Sequence, residues 1–368
     1  MKTNSLKKYI AVGLTLAGAV FTPNLHATVP VSVFVEGGSA SQSVLYDRAT
    51  NLFLNPAYPG GTLTTATGTG SSTVRRFVGQ SKNPAISNLV ITLDINVANG
   101  AIAGLQALVN QTAGAADTNI LGETKVPTFV DSATSPEAIG IDSVTANLSA
   151  YPTYVVPLVF IKNTNFPAVN AITNLTQRQA VTLETSLNPA TFYGGNTTNL
   201  IYFVGRNSQA AVRTEIDANI YNTAKIKTYT NNAANLPVLD GSADPGLPAG
   251  GTVANTVLAL TNSIGTVAVQ NLKSSLAPIP YEGVAYSAAN VINGSYPIWG
   301  YENYYFITDP NTGTPDTQQQ AVLDAFYASV TNATFHTTVV FTNLFIPEYA
   351  LKVKREYDGG PIIPKPGY

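Results

Sequence analysis

An α/β fold is predicted by three observations. Several apolar, β-branched stretches end in Gly/Ser/Thr/Asn-rich turns that lead into helix-like segments. The run Tyr154-Val-Val-Pro-Leu-Val-Phe-Ile-Lys162 is almost continuously apolar, as suits a strand covered on both faces. The chain has 368 residues, 45% apolar and only 11% charged, which is enough to bury a large core without any cysteine. In such architectures ligands gather beyond the carboxyl ends of the strands, so the turns are the first place to look for function.

Residues 1–27 are expected to be a secretory signal peptide. Lys2, Lys7 and Lys8 precede the apolar run from Tyr9 to Phe21, and Leu25-His-Ala27 offers a small-residue cleavage site. Removal leaves 341 of the 368 residues and moves the formal charge from −2 to −5, because three lysines and no acids are lost. A mildly acidic surface argues against nucleic acid as a partner. No later window reaches the about 18 continuous apolar residues of a membrane span, so a periplasmic or secreted location without a span is expected.

The lack of cysteine excludes disulfides, thiolate metal sites, a cysteine nucleophile and a lipid-modified cysteine. His336 is the single histidine left after cleavage. It lies in Thr334-Phe-His-Thr-Thr-Val-Val-Phe341, which alternates as a half-buried strand would, and a packed histidine is the expected reading. A His-dependent triad would rest on this residue alone. A metal would need carboxylates, as in a Ca²⁺ site, and no EF-hand spacing occurs. Neither metal nor cofactor is expected.

Four segments carry the strand, turn and helix pattern. Val31-Ser-Val-Phe-Val35 leads through Glu36-Gly-Gly-Ser-Ala-Ser-Gln-Ser43 into a helix-like stretch at 44–53. Thr67-Gly-Thr-Gly-Ser-Ser-Thr73 leads more weakly into 74–78, and Ala138-Ile-Gly-Ile-Asp142 is followed by Ser143. The fullest example is residues 199–221, where an apolar strand enters Gly205-Arg-Asn-Ser208 and then an amphipathic helix. There the helix dipole, open backbone N–H groups and the Arg206 guanidinium all favour an oxyanion. Taken singly, each turn also suits an ordinary helix cap.

Between these segments, Leu89-Val-Ile-Thr-Leu-Asp-Ile-Asn-Val97 alternates as a half-buried strand and residues 102–109 read as a helix. The region 76–139 is therefore expected to add a hairpin or a helical excursion. Thr176 is positioned to cap a helix from Gln177 to about Ser186, and 231–251 reads as a surface loop. The aromatic segment with Trp299, Tyr301, Tyr304 and Tyr305 reads as core rather than a sugar platform. Residues 349–368, with four cations and three prolines, read as a mobile tail or a packed arm.

Taken in order, these segments resemble the phosphate-binding protein of the bacterial phosphate ABC transporter, a member of the type II periplasmic binding-protein superfamily. Val35-Glu-Gly-Gly-Ser-Ala-Ser-Gln-Ser-Val-Leu-Tyr46 is similar to the family's first glycine-rich turn, and Gly68-Thr-Gly-Ser-Ser-Thr73 to its second serine turn. Ile139-Gly-Ile-Asp-Ser143 is similar to the strand end bearing a ligand-contacting aspartate. The order continues through residues 155–163, 175–195 and 199–221 to Tyr281-Glu-Gly-Val284 and Gly294-Ser-Tyr-Pro-Ile-Trp-Gly-Tyr-Glu302.

The resemblance implies two α/β lobes with a ligand cleft between them. Lobe I would comprise 28–154 and 270–348, with an extra segment near 76–139, lobe II would comprise 155–269, and 349–368 would be a tail. It implies ligand contacts from Ser39 or Ser41, Ser71 or Ser72, Asp142 and Arg206. Hydroxyls and arginine donate to oxyanion oxygens, while a carboxylate accepts from a protonated phosphate oxygen. The implied function is solute binding by lobe closure, without catalysis, for phosphate or another small oxyanion, with an ABC permease as partner.

One departure stands out. Where the family places Ser-Gly-Thr at the helix start, this chain has Ala210-Ala-Val212. Losing two hydrogen bonds to a charged ligand costs about 1.5–3 kcal/mol each, or roughly two to four decades of affinity together. Ser208, if the turn shifts, and Arg213 are the available replacements. An extracellular structural or adhesive protein that keeps the fold without tight phosphate binding is therefore the alternative. Hydrolase chemistry is not expected, since nothing in the spacing of Glu36, Asp47, Asp94 and Asp142 sets two carboxylates across a substrate.

Overall fold

The computed structural model describes residues 29–53, 66–67, 74–114, 117–309, 313–338, 340–342 and 344–368. The expected signal peptide and the serine turn at 68–73 lie outside them. Among the described residues one sheet of twelve strands runs through the molecule, flanked by helices. The α/β expectation therefore holds.

In the first half of the sheet, Val29–Gly37 lies parallel to Leu89–Asn96 on one side and to Phe129–Ser132 on the other. Trp299–Ile307 then joins antiparallel to Phe129–Ser132. The alternation read at 89–97 appears as a strand with pattern buried, half-buried, buried, half-buried at its start, and it occupies the sheet interior. Residues 102–109 form part of the helix Ala101–Asn110. The region 76–139 is thus built into the first half of the sheet.

Leu148–Asn163 links the two halves. From Leu148 to Pro157 it pairs antiparallel with Trp299–Ile307. From Leu158 to Lys162 it pairs with Ser263–Ala268, which lies parallel to Leu200–Val204. Its buried run begins at Thr153 and continues to its end, in keeping with the apolar sequence that covers both faces. Lys162, the one cation in this run, sends Nζ to the carbonyls of Asn170 (2.7 Å) and Ile172 (2.6 Å).

Local signals placed several elements well. Thr176 caps Gln177–Thr185 with a reciprocal bond from Gln179, the Thr-x-x-Gln capping box. Trp299 and Tyr304 are fully buried, as a core segment should be. The C-terminal residues form a packed arm, with Arg355 over the Trp299 ring at 4.4 Å and Asp358 accepting from the Ser135 N–H at 2.7 Å.

Three local expectations are corrected. Residues 74–78 belong to the strand Val74–Gln80, not to a helix. Phe77 is buried in the core, and Arg76 forms a two-pronged pair with Asp94 of the adjacent strand at 2.7 Å. Residues 138–142 are not a strand end, because Pro136 starts a 3₁₀ turn, Pro136–Ile139, that closes on a left-handed Gly140 (φ 78°). His336 lies in the 3₁₀ turn Phe335–Thr337 rather than a strand. Its Nε2 meets the Val330 carbonyl at 2.7 Å and its Nδ1 the Tyr349 hydroxyl at 3.2 Å, so both ring nitrogens are partnered.

Candidate functional site

The parallel strands of the first half end side by side, with Glu36 opposite both Asn96 and Val130, and Gly37 opposite Asp131. The turns that follow, at Gly38–Ser41, Gly100 and Ala133–Thr134, face the second half of the molecule. From that side Leu200–Val204 runs into Arg206 and then the helix Ala211–Ile220. The approach is close. A Cβ at Gly100 (φ 89°) would lie 2.2 Å from the Gln209 carbonyl oxygen, so only glycine fits. Thr134 Oγ1 donates to the Ala211 carbonyl at 3.3 Å.

Arg206 is 3% exposed. Its Nε donates to the Leu247 carbonyl at 3.0 Å, one terminal nitrogen to the Pro248 carbonyl at 2.8 Å, and the other to Ser39 Oγ at 3.3 Å. Burial pushes its pKa down to about 10, which still leaves it charged at neutral pH. The loop at 231–251 thus does more than cover surface, because its last turn supplies two of the acceptors that hold this cation. Ser39 ties Arg206 to the first half of the molecule.

Beside Arg206 the walls are methyl groups. Ala40, Ala133, Ala210, Ala211 and Val212 are all buried and line the gap. Ala101, Ala133 and Ala211 form a small apolar cluster across it. The open space is ≈ 10 Å³ for the centre of a water-sized sphere, room for about one water. A tetrahedral oxyanion is several times larger. The helix Ala211–Ile220 begins at Ala210 without a side-chain cap.

Two acids complete the site. Glu302, 1% exposed, also lines the gap. It stands at a β-bulge, since Glu302 pairs with Tyr154 and Asn303 with Pro152, leaving Thr153 as the extra residue. Thr153 Oγ1 donates to the Glu302 carbonyl at 2.7 Å, which fixes the bulge. Asp131 is fully buried next to it, and Ser41 faces both carboxyls while donating to the Gly38 carbonyl at 3.1 Å. Burial raises Asp131 to about 7, and burial with the charge of Asp131 holds Glu302 well above the usual carboxylate range. Glu302 therefore keeps its proton at neutral pH, while Asp131 titrates close to it.

The structure brings Ser39 and Arg206 together in the lining of this gap, sets Ser41 behind it against Asp131 and Glu302, and leaves two other predicted residues outside it. Asp142 is exposed, and its Oδ1 accepts from the Val144 N–H at 3.0 Å in a local turn. Ser208 is exposed, with its N–H bonded to Asp244 Oδ1 at 2.8 Å. Ser71 and Ser72 lie outside the described residues. Arg213 pairs with Asp217 at 3.5 Å and Asp244 at 3.9 Å rather than entering the gap. Sequence reading missed Asp131 and Glu302. The available signal was a single acid inside each of the otherwise apolar or aromatic stretches Phe129-Val-Asp-Ser132 and Trp299-Gly-Tyr-Glu-Asn-Tyr-Tyr305.

No group of three or more His, Asp or Glu residues suited to a metal occurs among the described residues, and no helix among them is long and apolar enough to cross a membrane. No protein-family model and no curated protein matches the sequence. Solved structures do match in fold. One is a Clostridium perfringens protein assigned as a phosphate ABC transporter substrate-binding protein, with bound phosphate, at TM-score 0.57 and 14% identity over 86% of this chain and 99% of that one. Another is an ABC-type phosphate transport receptor from Vibrio cholerae, at TM-score 0.51 and 13% identity over 85% and 99% of the two chains. The chain has the two-lobed α/β fold of these binding proteins.

Proposed function

We propose that this chain is an exported, non-catalytic binding protein that keeps the two-lobed architecture but has closed its anion cleft with its own side chains. Lobe I is 28–154 with 270–348, and lobe II is 155–269. Residues 349–368 are the arm that packs along both. The observation that carries this reading is the gap beside Arg206, which has room for about one water and is walled by alanine and valine methyls together with Ser39 and Glu302. Arg206 there serves as a strut, because two carbonyls and Ser39 take three of its five N–H donors. The periplasm or the exterior is its place of action, in keeping with the signal peptide expected from the sequence of residues 1–27.

A second reading is capture of phosphate or another small oxyanion for an ABC permease. It is favoured by the uncapped start of Ala211–Ile220 next to Arg206 and Ser39, which would face an anion if the lobes parted. Calorimetry of the exported chain against phosphate, sulfate and organic phosphates separates the two. The first reading expects no saturable heat below about 1 mM ligand, and micromolar phosphate binding would reject it. Arg206→Ala gives an independent measure. A strut should lose about 2 kcal/mol of unfolding free energy without any anion present, through the loss of its three hydrogen bonds, whereas a residue serving only the ligand should not.

A further inference from the structure

The geometry points to a second binding site, away from Arg206, for a neutral oligosaccharide. It is the groove between the end of helix Ala211–Ile220, the segment from Tyr281 to Pro297, and the C-terminal arm. Its volume, ≈ 410 Å³, falls in the range of small-molecule sites, about 300–1,000 Å³.

The backbone singles it out. Six non-glycine residues have positive φ among the described residues, and three are asparagines, which tolerate that region. Of the other three, Gln111 (φ 51°) ends the helix Ala101–Asn110, while Tyr221 (φ 57°) and Glu282 (φ 51°) both line this groove. Strain of this kind is kept where a side chain must be presented. Tyr221 caps its helix through an N–H bond to the Ala218 carbonyl at 3.3 Å, and its side chain stands in water at 65% exposure. An exposed phenol ring on a backbone held in this way is a platform for the apolar face of a sugar. Glu282 holds its backbone position partly by accepting from the Gln177 N–H with Oε1. With Gln177 it sets planar polar groups beside the ring, the chemistry that pairs with neighbouring hydroxyls.

The far wall is rigid. Arg355 lies over Trp299 and donates to the carbonyls of Trp299 and Pro297 and to Asn219, so its guanidinium is held in place. Gly359 (φ 68°) brings the arm against the helix, where a Cβ would lie 2.4 Å from the Ala218 carbonyl oxygen. Opposite charges on Glu282 and Arg355 favour a neutral ligand over an ionic one. A preformed wall also lowers the ordering cost of binding.

The test is titration of the exported chain with maltotriose, cellotriose and chitotriose, read by the emission of Trp299, the chain's one tryptophan. A saturable change with at least one of them is expected, half-complete below about 10 mM. It should weaken by about tenfold or more in Tyr221→Ala, as loss of one stacking contact implies, and persist in Tyr221→Phe. Should Tyr221→Ala fail to fold, Glu282→Ala supplies the same comparison. Binding retained in Arg206→Ala separates this site from the cleft. No saturable change with any of the three sugars overturns the proposal, as does binding that neither variant weakens.

Discussion

Glu36 shows how a single side chain sets the response of this protein to pH. It is 1% exposed at the end of the first strand, and burial with the nearby charge of Asp117 raises its pKa from 4.5 to about 9. The unfolded chain releases this proton near its ordinary value and the folded chain retains it. The stabilising contribution is therefore complete below about pH 4.5 and is lost progressively as pH rises toward 9. Asp131, raised to about 7, adds to the same trend. Urea midpoints should fall between pH 5 and pH 9, and the fall should be smaller in Glu36→Gln. A variant with the parent's full pH dependence would show that Glu36 is ionised in the fold after all.

At the scale of elements, the helix Ala211–Ile220 decides what the cleft can hold. Its first turn offers backbone donors and a favourable dipole, but its side chains are Ala210, Ala211 and Val212, all buried against the opposite turns. Replacing them together by Ser, Gly and Thr restores two hydroxyl donors, removes the Ala211 methyl and exchanges one Val212 methyl for a hydroxyl. Two charge-assisted bonds at about 1.5–3 kcal/mol each should bring a gain of roughly two to four decades in phosphate affinity. Calorimetry of the triple variant beside the parent measures that gain. Equal behaviour of the two would mean that the Glu302 bulge and the Arg206 strut, rather than the methyl groups, keep the anion out.

The whole molecule is held closed by contacts between distant turns. Gly100 meets Gln209, Thr134 meets Ala211 and Ser39 meets Arg206, all across the gap between the halves of the sheet. A Cβ at position 100 cannot fit, lying 2.2 Å from a backbone oxygen in a region of φ that only glycine enters freely. Gly100→Ala should therefore part the lobes, seen as a larger radius of gyration in solution scattering. The change should come with unfolding cooperativity intact, since each half keeps its own strands. A variant as compact as the parent would show that the turn can yield without moving the lobes.

Much of the architecture was determined by signals local in the chain. The Thr176 cap, the alternation at 89–97, the covered strand after Tyr154 and the strand, turn and helix around Arg206 all depend on neighbours a few residues apart. Such spacing is set by helix and strand geometry, so sequence suffices to read it. The site is different. Arg206 finds its acceptors 41 and 42 residues onward at Leu247 and Pro248, and Glu302 faces the gap because Thr153 bulges on the neighbouring strand. Likewise, the exposed turn of Asp142 follows from the 3₁₀ closure at Gly140 rather than from any strand. The sequence by itself determined the fold class and the turns after the first strand and around Arg206. Only the tertiary structure decided which side chains meet between the halves of the sheet, because a close-packed interface depends on the positions of several remote elements at once, and a few methyl groups there set how much space is left.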